Sequence, residues 1–161
     1  MNESDLSKIE ACRNLSIEAH KGQTRWGGED YYTCHILGVE KIARDNLHLL
    51  PIFLRTEALC VALLHDTLED TKLDQLSIAM ACKSKIATDS VKTLTRSTKN
   101  YYEYICKITN SNCLVSMFVK MCDLKHNMSD LDQSKPIYTK YAFAFDKISA
   151  KFYEKANLFN A

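Results

Sequence analysis

Seven consecutive apolar residues, Ala58-Leu59-Cys60-Val61-Ala62-Leu63-Leu64, run directly into His65-Asp66-Thr67-Leu68-Glu69-Asp70. A helix that is apolar on every side has no face to give to water, so the run predicts a helix at the centre of a bundle. Its polar end constrains the chain further. An imidazole and three carboxylates stand there, and burying such groups without partners costs on the order of several kcal/mol each. A divalent cation would compensate them together. The junction therefore reads as a metal centre, and hydrolysis is the first chemistry it suggests.

Four glycines and two prolines are the only strong breakers in 161 residues, and three of the glycines lie between Gly22 and Gly28. With so little punctuation and apolar residues recurring at helical spacing, the expected fold is all-α, a single helical bundle forming one domain over residues 1–161. Ser4 or Asp5 is the expected cap of a first helix reaching about Lys21, followed by a polar loop over 22–31. A second helix is expected from about Tyr32 to Asn46, with Ile36, Val39, Ile42 and Ala43 inward. Thr56 reads as the cap of the central helix, Glu57 to about His65. Shorter amphipathic helices are expected over Leu73 to Cys82, Lys85 to Leu94 and Tyr101 to Ile108. Cys113 to Ser129 is a second strongly apolar helix. The last begins after Pro136 and reaches about Leu158, with Tyr141, Phe145, Ile148 and Phe152 as its core stripe. The aromatic excess of this tail either closes the bundle or offers a contact for a homo-oligomer.

Lys and Arg total 21 against 20 Asp and Glu, a formal charge of +1. No global field draws nucleic acid or an anionic membrane, so neither is an expected partner, and an anionic ligand needs a local site. No window approaches the roughly 18 uninterrupted apolar residues of a membrane span. Met1 to Asp5 lacks the basic start and apolar core of a signal peptide. The seven cysteines contain no Cys-x-x-Cys pair, which favours reduced thiols and a cytoplasmic setting.

Polar residues interrupt helices that would not otherwise need them. His20 closes the first, His35 opens the second, and Asp123 breaks the apolar run Leu114 to Cys122. His65 and Glu69 are four apart, as are Asp66 and Asp70, so each pair shares a helical face. His65 and Asp66 diverge by about 100° on an ideal helix, so both reach one ion only where the helix end loosens. His35 and Asp123 would complete a set of two imidazoles and two carboxylates. That mixed sphere suits Mn²⁺, Fe²⁺ or Zn²⁺ better than a structural zinc site, which favours thiolates. His48 has no such context and reads as exposed.

These residues also resemble a known family. His65-Asp66-Thr67-Leu68-Glu69-Asp70-Thr71 is similar to the HD-x-x-ED element of the hydrolase domain in RelA/SpoT-type alarmone enzymes, within the HD phosphohydrolase superfamily. Ala19-His20-Lys21-Gly22-Gln23-Thr24-Arg25, followed by Tyr32 and His35, resembles that family's opening AH-x-GQ-x-R … Y-x-x-H. Val119-Lys120-Met121-Cys122-Asp123-Leu124-Lys125-His126-Asn127-Met128 resembles its VK-x-x-D-x-x-HNM helix, and Leu94-Thr95 its LT element. The likeness spans about residues 8 to 131. No synthetase or regulatory domain is expected, as in the small stand-alone members. Departures fall in the base-binding loop: Trp26 replaces a second basic residue, Tyr31-Tyr32 a Pro-Tyr, and His35-Ile36 a His-Pro.

The resemblance implies an HD-domain bundle with metal ligands His35, His65, Asp66 and Asp123. It implies that Glu69 and Asp70 orient a water activated by a divalent ion, Mn²⁺ foremost, and move its proton. It places Arg25 at the purine, Asn127 at the ribose and Tyr141 in the base pocket. Trp26 either stacks on the base or packs against its own loop. Lys120, Lys125 and Arg96 either meet phosphates or are surface charges. The implied reaction is hydrolysis of guanosine 3′,5′-bis(diphosphate) to GDP and pyrophosphate. Two alternatives remain open: a phosphatase for another nucleotide, such as the 2′-phosphate of NADPH or a nucleoside phosphate, and a nucleotide-binding protein without turnover.

Overall fold

Local hydrogen bonding decides where each helix of this chain starts and stops. In the computed structural model, which describes residues 2–159, the order is α1 (Glu3–Ala19), α2 (Leu37–Asp45), α3 (Arg55–Leu64), the short α4 (Thr67–Asp70), α5 (Gln75–Cys82), α6 (Lys85–Leu94), α7 (Tyr101–Asn110), α8 (Leu114–Ser129) and α9 (Pro136–Ala156). Among the described residues there is no strand, only a bridge between Thr24 and Asp30 that closes the loop before α2.

The first cap is Asn2, not Ser4 or Asp5. Its side chain accepts the Asp5 N–H at 2.9 Å while the Asp5 carboxylate accepts the Asn2 N–H at 2.9 Å, a reciprocal capping box that satisfies both ends. Thr56 is not a cap either. It is buried in the first turn of α3, because a 3₁₀ turn over Ile52–Leu54 already delivers helical backbone and leaves the helix start needing no side-chain acceptor. Asp74, Ser84 and Asn100 cap α5, α6 and α7 through their side chains.

The apolar run behaves as its composition demands. Every residue from Ala58 to Leu64 is shut off from solvent, and α3 packs against α1, α2, α6 and α8. Against α8 lies α9, the two joined by Phe118 and Phe152 with ring centroids 6.1 Å apart. The buried stripe of α9 is Ala144, Ile148, Phe152 and Ala156. Tyr141 and Phe145, expected in that stripe, lie beside it and are half-buried. His48 is exposed.

Two irregularities position chemistry. The second helix opens as a π-helical turn, Tyr32–Ile36, before settling into α2. Such widened turns recur at functional sites because they re-aim side chains. The central helix stops at Leu64, where the Thr67 hydroxyl donates to the Leu64 carbonyl at 2.6 Å and His65 Nδ1 to the Ala62 carbonyl at 2.8 Å. Those bonds occupy acceptors that a longer helix would use. The chain turns at His65-Asp66 and re-enters helix at Thr67.

Candidate metal centre and adjoining cavity

The turn after α3, the π-helical turn before α2 and the middle of α8 meet at one point. His35 Nε2 lies 3.2 Å from Asp66 Oδ2 and 3.3 Å from His65 Nε2, and His65 Nε2 lies 3.0 Å from the same carboxylate oxygen. Asp123 Oδ1 comes within 3.5 Å of His35 Nε2 and 3.8 Å of His65 Nε2. His35, His65 and Asp123 are buried and Asp66 is partly so. The donor atoms of His35, His65 and Asp66 all lie within 4.8 Å of one another, close enough to share one ion.

The surroundings suit a cation. With His65 Nδ1–H donated to the Ala62 carbonyl, the lone pair of its ring is on Nε2, the atom facing the carboxylates. Burial works against a charge on His65, but the carboxylates of Asp66 and Asp123 overcome it and lift its pKa to about 9. Burial likewise opposes ionisation of Asp66, yet the two imidazoles hold it well below the usual carboxylate range. A cluster that raises its own imidazole so far calls for positive charge, which a divalent ion provides with a matching N/O donor set.

Each carboxylate is also held from behind. Tyr31 donates its hydroxyl to Asp66 Oδ2 at 2.7 Å, and burial beside that carboxylate pushes the phenol pKa up, keeping it protonated. Lys120 Nζ meets Asp123 Oδ2 at 2.7 Å, and Asn127 Nδ2 donates to Asp123 Oδ1 at 2.6 Å. Asn127 Oδ1 in turn accepts from Arg25 Nη2 at 2.7 Å, so the loop before α2 is wired to the same aspartate. The amide of Asn127 is thus engaged at both ends, although each end retains capacity for one more hydrogen bond.

Beyond Asn127 opens a cavity of about 620 Å³ whose walls include Arg25, Trp26, His126, Asn127 and Tyr141. Trp26 is fully exposed at its rim and Tyr141 half-buried. On another side of the cluster, Glu69 Oε2 accepts the Arg96 N–H at 2.8 Å, with Arg96 Nε 3.7 Å from Oε1. Burial, with the charges of Asp66 and Glu69, pushes the Asp70 pKa up to about 6. Gln23 Nε2 donates to the Asp70 carbonyl at 2.8 Å and Gln23 Oε1 accepts from His20 Nδ1 at 2.7 Å, which ties α4 to the end of α1. Lys125 lies apart from these groups, on a separate groove with Ile42, Phe118 and Tyr153.

Three neighbours of the cluster have no chemical role that the sequence alone assigns. Tyr31 stands out there only as a departure from a family pattern, His20 as the end of a helix and a motif letter, and His126 only as a motif letter. The available signal for His126 is its position three residues after Asp123, on an adjoining helical face.

No protein-family model matches the chain. It is 33% identical over 133 residues to a guanosine-3′,5′-bis(diphosphate) 3′-pyrophosphohydrolase of Haemophilus influenzae, an alignment covering 76% of this chain and 18% of that protein. It is 28% identical over 145 residues to the bifunctional (p)ppGpp synthase/hydrolase SpoT of Escherichia coli, covering 83% of this chain and 19% of SpoT. The chain therefore spans less than a fifth of the length of these relatives. A solved structure, described as a metazoan ortholog of SpoT that hydrolyzes ppGpp and plays a role in starvation responses, shares its fold. The TM-score is 0.68 at 16% identity, over 91% of this chain and 85% of that one. The chain is thus similar in sequence to one segment of these longer relatives, and its helical architecture is shared with the metazoan SpoT ortholog.

Proposed function

We propose that the chain is a single metal-dependent phosphohydrolase domain that cleaves guanosine 3′,5′-bis(diphosphate), or its 5′-triphosphate counterpart, to pyrophosphate and GDP or GTP. The observation that carries this reading is the convergence of His35, His65, Asp66 and Asp123 beside a cavity walled by Arg25, Asn127 and Tyr141, in a chain related to proteins named for that reaction. These four residues would hold the ion, for which Mn²⁺ is our choice over Zn²⁺ or Fe²⁺. When bound, it supplies Lewis-acid stabilisation of phosphoryl oxygens and a water of lowered pKa.

The remaining work belongs to side chains of this chain. Asp70, with a pKa near 6, can take a proton from the attacking water and release it near neutral pH. Glu69, steadied by the Arg96 N–H, orients that water. The water oxygen bonds to the inner 3′ phosphorus as the bond from phosphorus to the ribose 3′ oxygen breaks. A proton then returns to that 3′ oxygen. Lys120, beside Asp123, offers positive charge to the oxygens of the transferred group. Arg25 presents a planar guanidinium to the guanine, and Trp26 at the rim can cover its other face. Tyr141, in the wall of the same cavity, would contact the base, and Asn127 would use its spare hydrogen-bonding capacity on the ribose.

Among the described residues no helix is long and apolar enough to cross a membrane. All seven cysteines are free thiols, which suits the cytoplasm as the setting for this reaction. Phe143, Tyr153 and Phe159 are exposed and are the aromatic surface of the tail that a homo-oligomer would use.

The test is pyrophosphate release from guanosine tetraphosphate by Mn²⁺-loaded protein. Asp66→Ala should lose both metal and turnover, while Glu69→Ala should keep metal and lose turnover. Undiminished activity in both variants rejects the assignment. Phosphate release from NADPH or a nucleoside monophosphate, with none from guanosine tetraphosphate, keeps the chemistry and changes the substrate. Tight nucleotide binding without product makes the domain a binder.

A further inference from the structure

The metal-facing nitrogen of His35 is only half of its ring. Its other nitrogen, Nδ1, lies 3.2 Å from Nδ1 of His126, with the two rings edge to face and their centroids 5.0 Å apart. For His35 Nε2 to offer a lone pair toward Asp66 and Asp123, the ring proton must sit on Nδ1. It then needs an acceptor, because a neutral imidazole carries one N–H and one lone pair. His126 Nδ1 stands where that acceptor is required. It belongs to α8, one turn beyond Asp123, and the same ring forms part of the cavity wall.

The ring reaches this position only because residue 38 has no side chain. A Cβ built on Gly38 would fall 2.1 Å from His126 Nε2 and 2.3 Å from Cδ2, far inside van der Waals contact. Gly38 lies within α2, where glycine costs about 1 kcal/mol relative to alanine. It has no positive φ to explain it, since the described glycines with positive φ are Gly22 and Gly28. Room for the ring of His126 is the physical return on that cost.

We propose that His126 is a positioning residue for the metal centre. It accepts the His35 Nδ1–H bond, fixes the tautomer that leaves Nε2 free for the ion, and is seated by the bare Cα of Gly38. The proposal rests on the metal-centre reading above. Groups that orient a ligating histidine in this way commonly contribute about 10- to 100-fold to metal affinity.

The experiment measures Mn²⁺ affinity by competition with a fluorescent chelator, with circular dichroism on each protein. His126→Phe keeps a ring without an acceptor and should bind Mn²⁺ about 10- to 100-fold more weakly. His126→Asn places an amide oxygen near the Nδ1 position and should recover most of the loss. Gly38→Ala leaves every donor atom in the chain but displaces the ring, so it should resemble His126→Phe. The double variant Gly38→Ala/His126→Asn pairs the new methyl group with a shorter side chain and should bind better than Gly38→Ala alone. Long-range ¹H–¹⁵N correlation on the unmodified chain reads the His35 tautomer directly and does not depend on any variant folding. A proton on Nδ1 is expected.

Wild-type Mn²⁺ affinity in folded His126→Phe, or equal losses in the Phe and Asn variants, overturns the positioning role and leaves the metal centre standing. A His35 proton found on Nε2 in the chain loaded with diamagnetic Zn²⁺ overturns the positioning role and removes His35 from the ligand set as well. If the unmodified chain takes up no Mn²⁺ at all, both readings fall together.

Discussion

Replacing Asp123 with alanine separates its contribution to the fold from the metal-binding role proposed for it. Its side chain is buried on α8, with one carboxylate oxygen on Lys120 Nζ at 2.7 Å and the other on Asn127 Nδ2 at 2.6 Å. Truncation leaves the Lys120 ammonium in place with its side chain only 15% exposed and no opposite charge beside it. Breaking a buried pair from one side costs about 3–5 kcal/mol. The Tyr104 ring, 5.2 Å from Lys120 Nζ, offers residual cation–π stabilisation. The lower end, about 3 kcal/mol, is therefore expected. Lys120→Met removes the stranded charge while keeping a stem of similar length, so Asp123→Ala/Lys120→Met should regain about 2 kcal/mol over the single variant. Urea denaturation in the presence of a chelator measures this without a metal contribution. Mn²⁺ titration of the same proteins should show binding lost in both variants lacking Asp123 and kept in Lys120→Met alone. A loss below about 1 kcal/mol for Asp123→Ala, or no recovery in the double variant, would refute the buried-pair reasoning.

Four further outcomes are expected. Because His65 is raised to about 9 without metal, protons compete for it, and apparent Mn²⁺ affinity should climb as pH rises from 6.5 toward 9 in chelator-competition titrations. In the metal-free chain the same shift contributes stability that is fully present below 6.5 and lost as pH rises through 9, so urea midpoints should fall across that window. With Asp70 near 6, the acid limb of the kcat profile at saturating Mn²⁺ should lie at or somewhat below that value, since a bound cation would lower it, and Asp70→Asn should abolish the limb along with most turnover. Phe152→Ala, fully buried against Phe118 and not one of the proposed ligands, should cost about 3–5 kcal/mol in thermal unfolding while leaving Mn²⁺ affinity nearly unchanged.

The bundle is legible in the sequence because helical periodicity is local. The residues of α3 advertise burial through their own composition, and α6 and α8 end where side-chain chemistry changes along the chain. Caps are less legible. Asn2 prevails over Ser4 and Asp5 through a reciprocal pair of bonds whose energies differ little from the alternatives, and Thr56 loses its capping role to a preceding 3₁₀ turn. The core stripe of α9 shifts from Tyr141 and Phe145 to Ala144 and Ala156. Ala144 and Ala156 join Ile148 and Phe152 as the buried residues of α9, with Tyr141 and Phe145 at the edge of that stripe.

The order of polar residues along the chain, with a histidine at each of two helix ends and an aspartate inside an apolar helix, already specifies which groups are available to hold an ion. It does not specify that they meet. His35 and Asp66 are 31 residues apart and His35 and His126 are 91 apart, and their contact depends on how α2, α3 and α8 cross. The break after Leu64 and the widened turn at Tyr32–Ile36 aim the imidazoles inward, and the bare Cα of Gly38 admits a third ring behind them. Composition and spacing act through neighbours on one helix and are readable from the chain. Convergence and close approach are set by packing between helices, which only the folded molecule expresses.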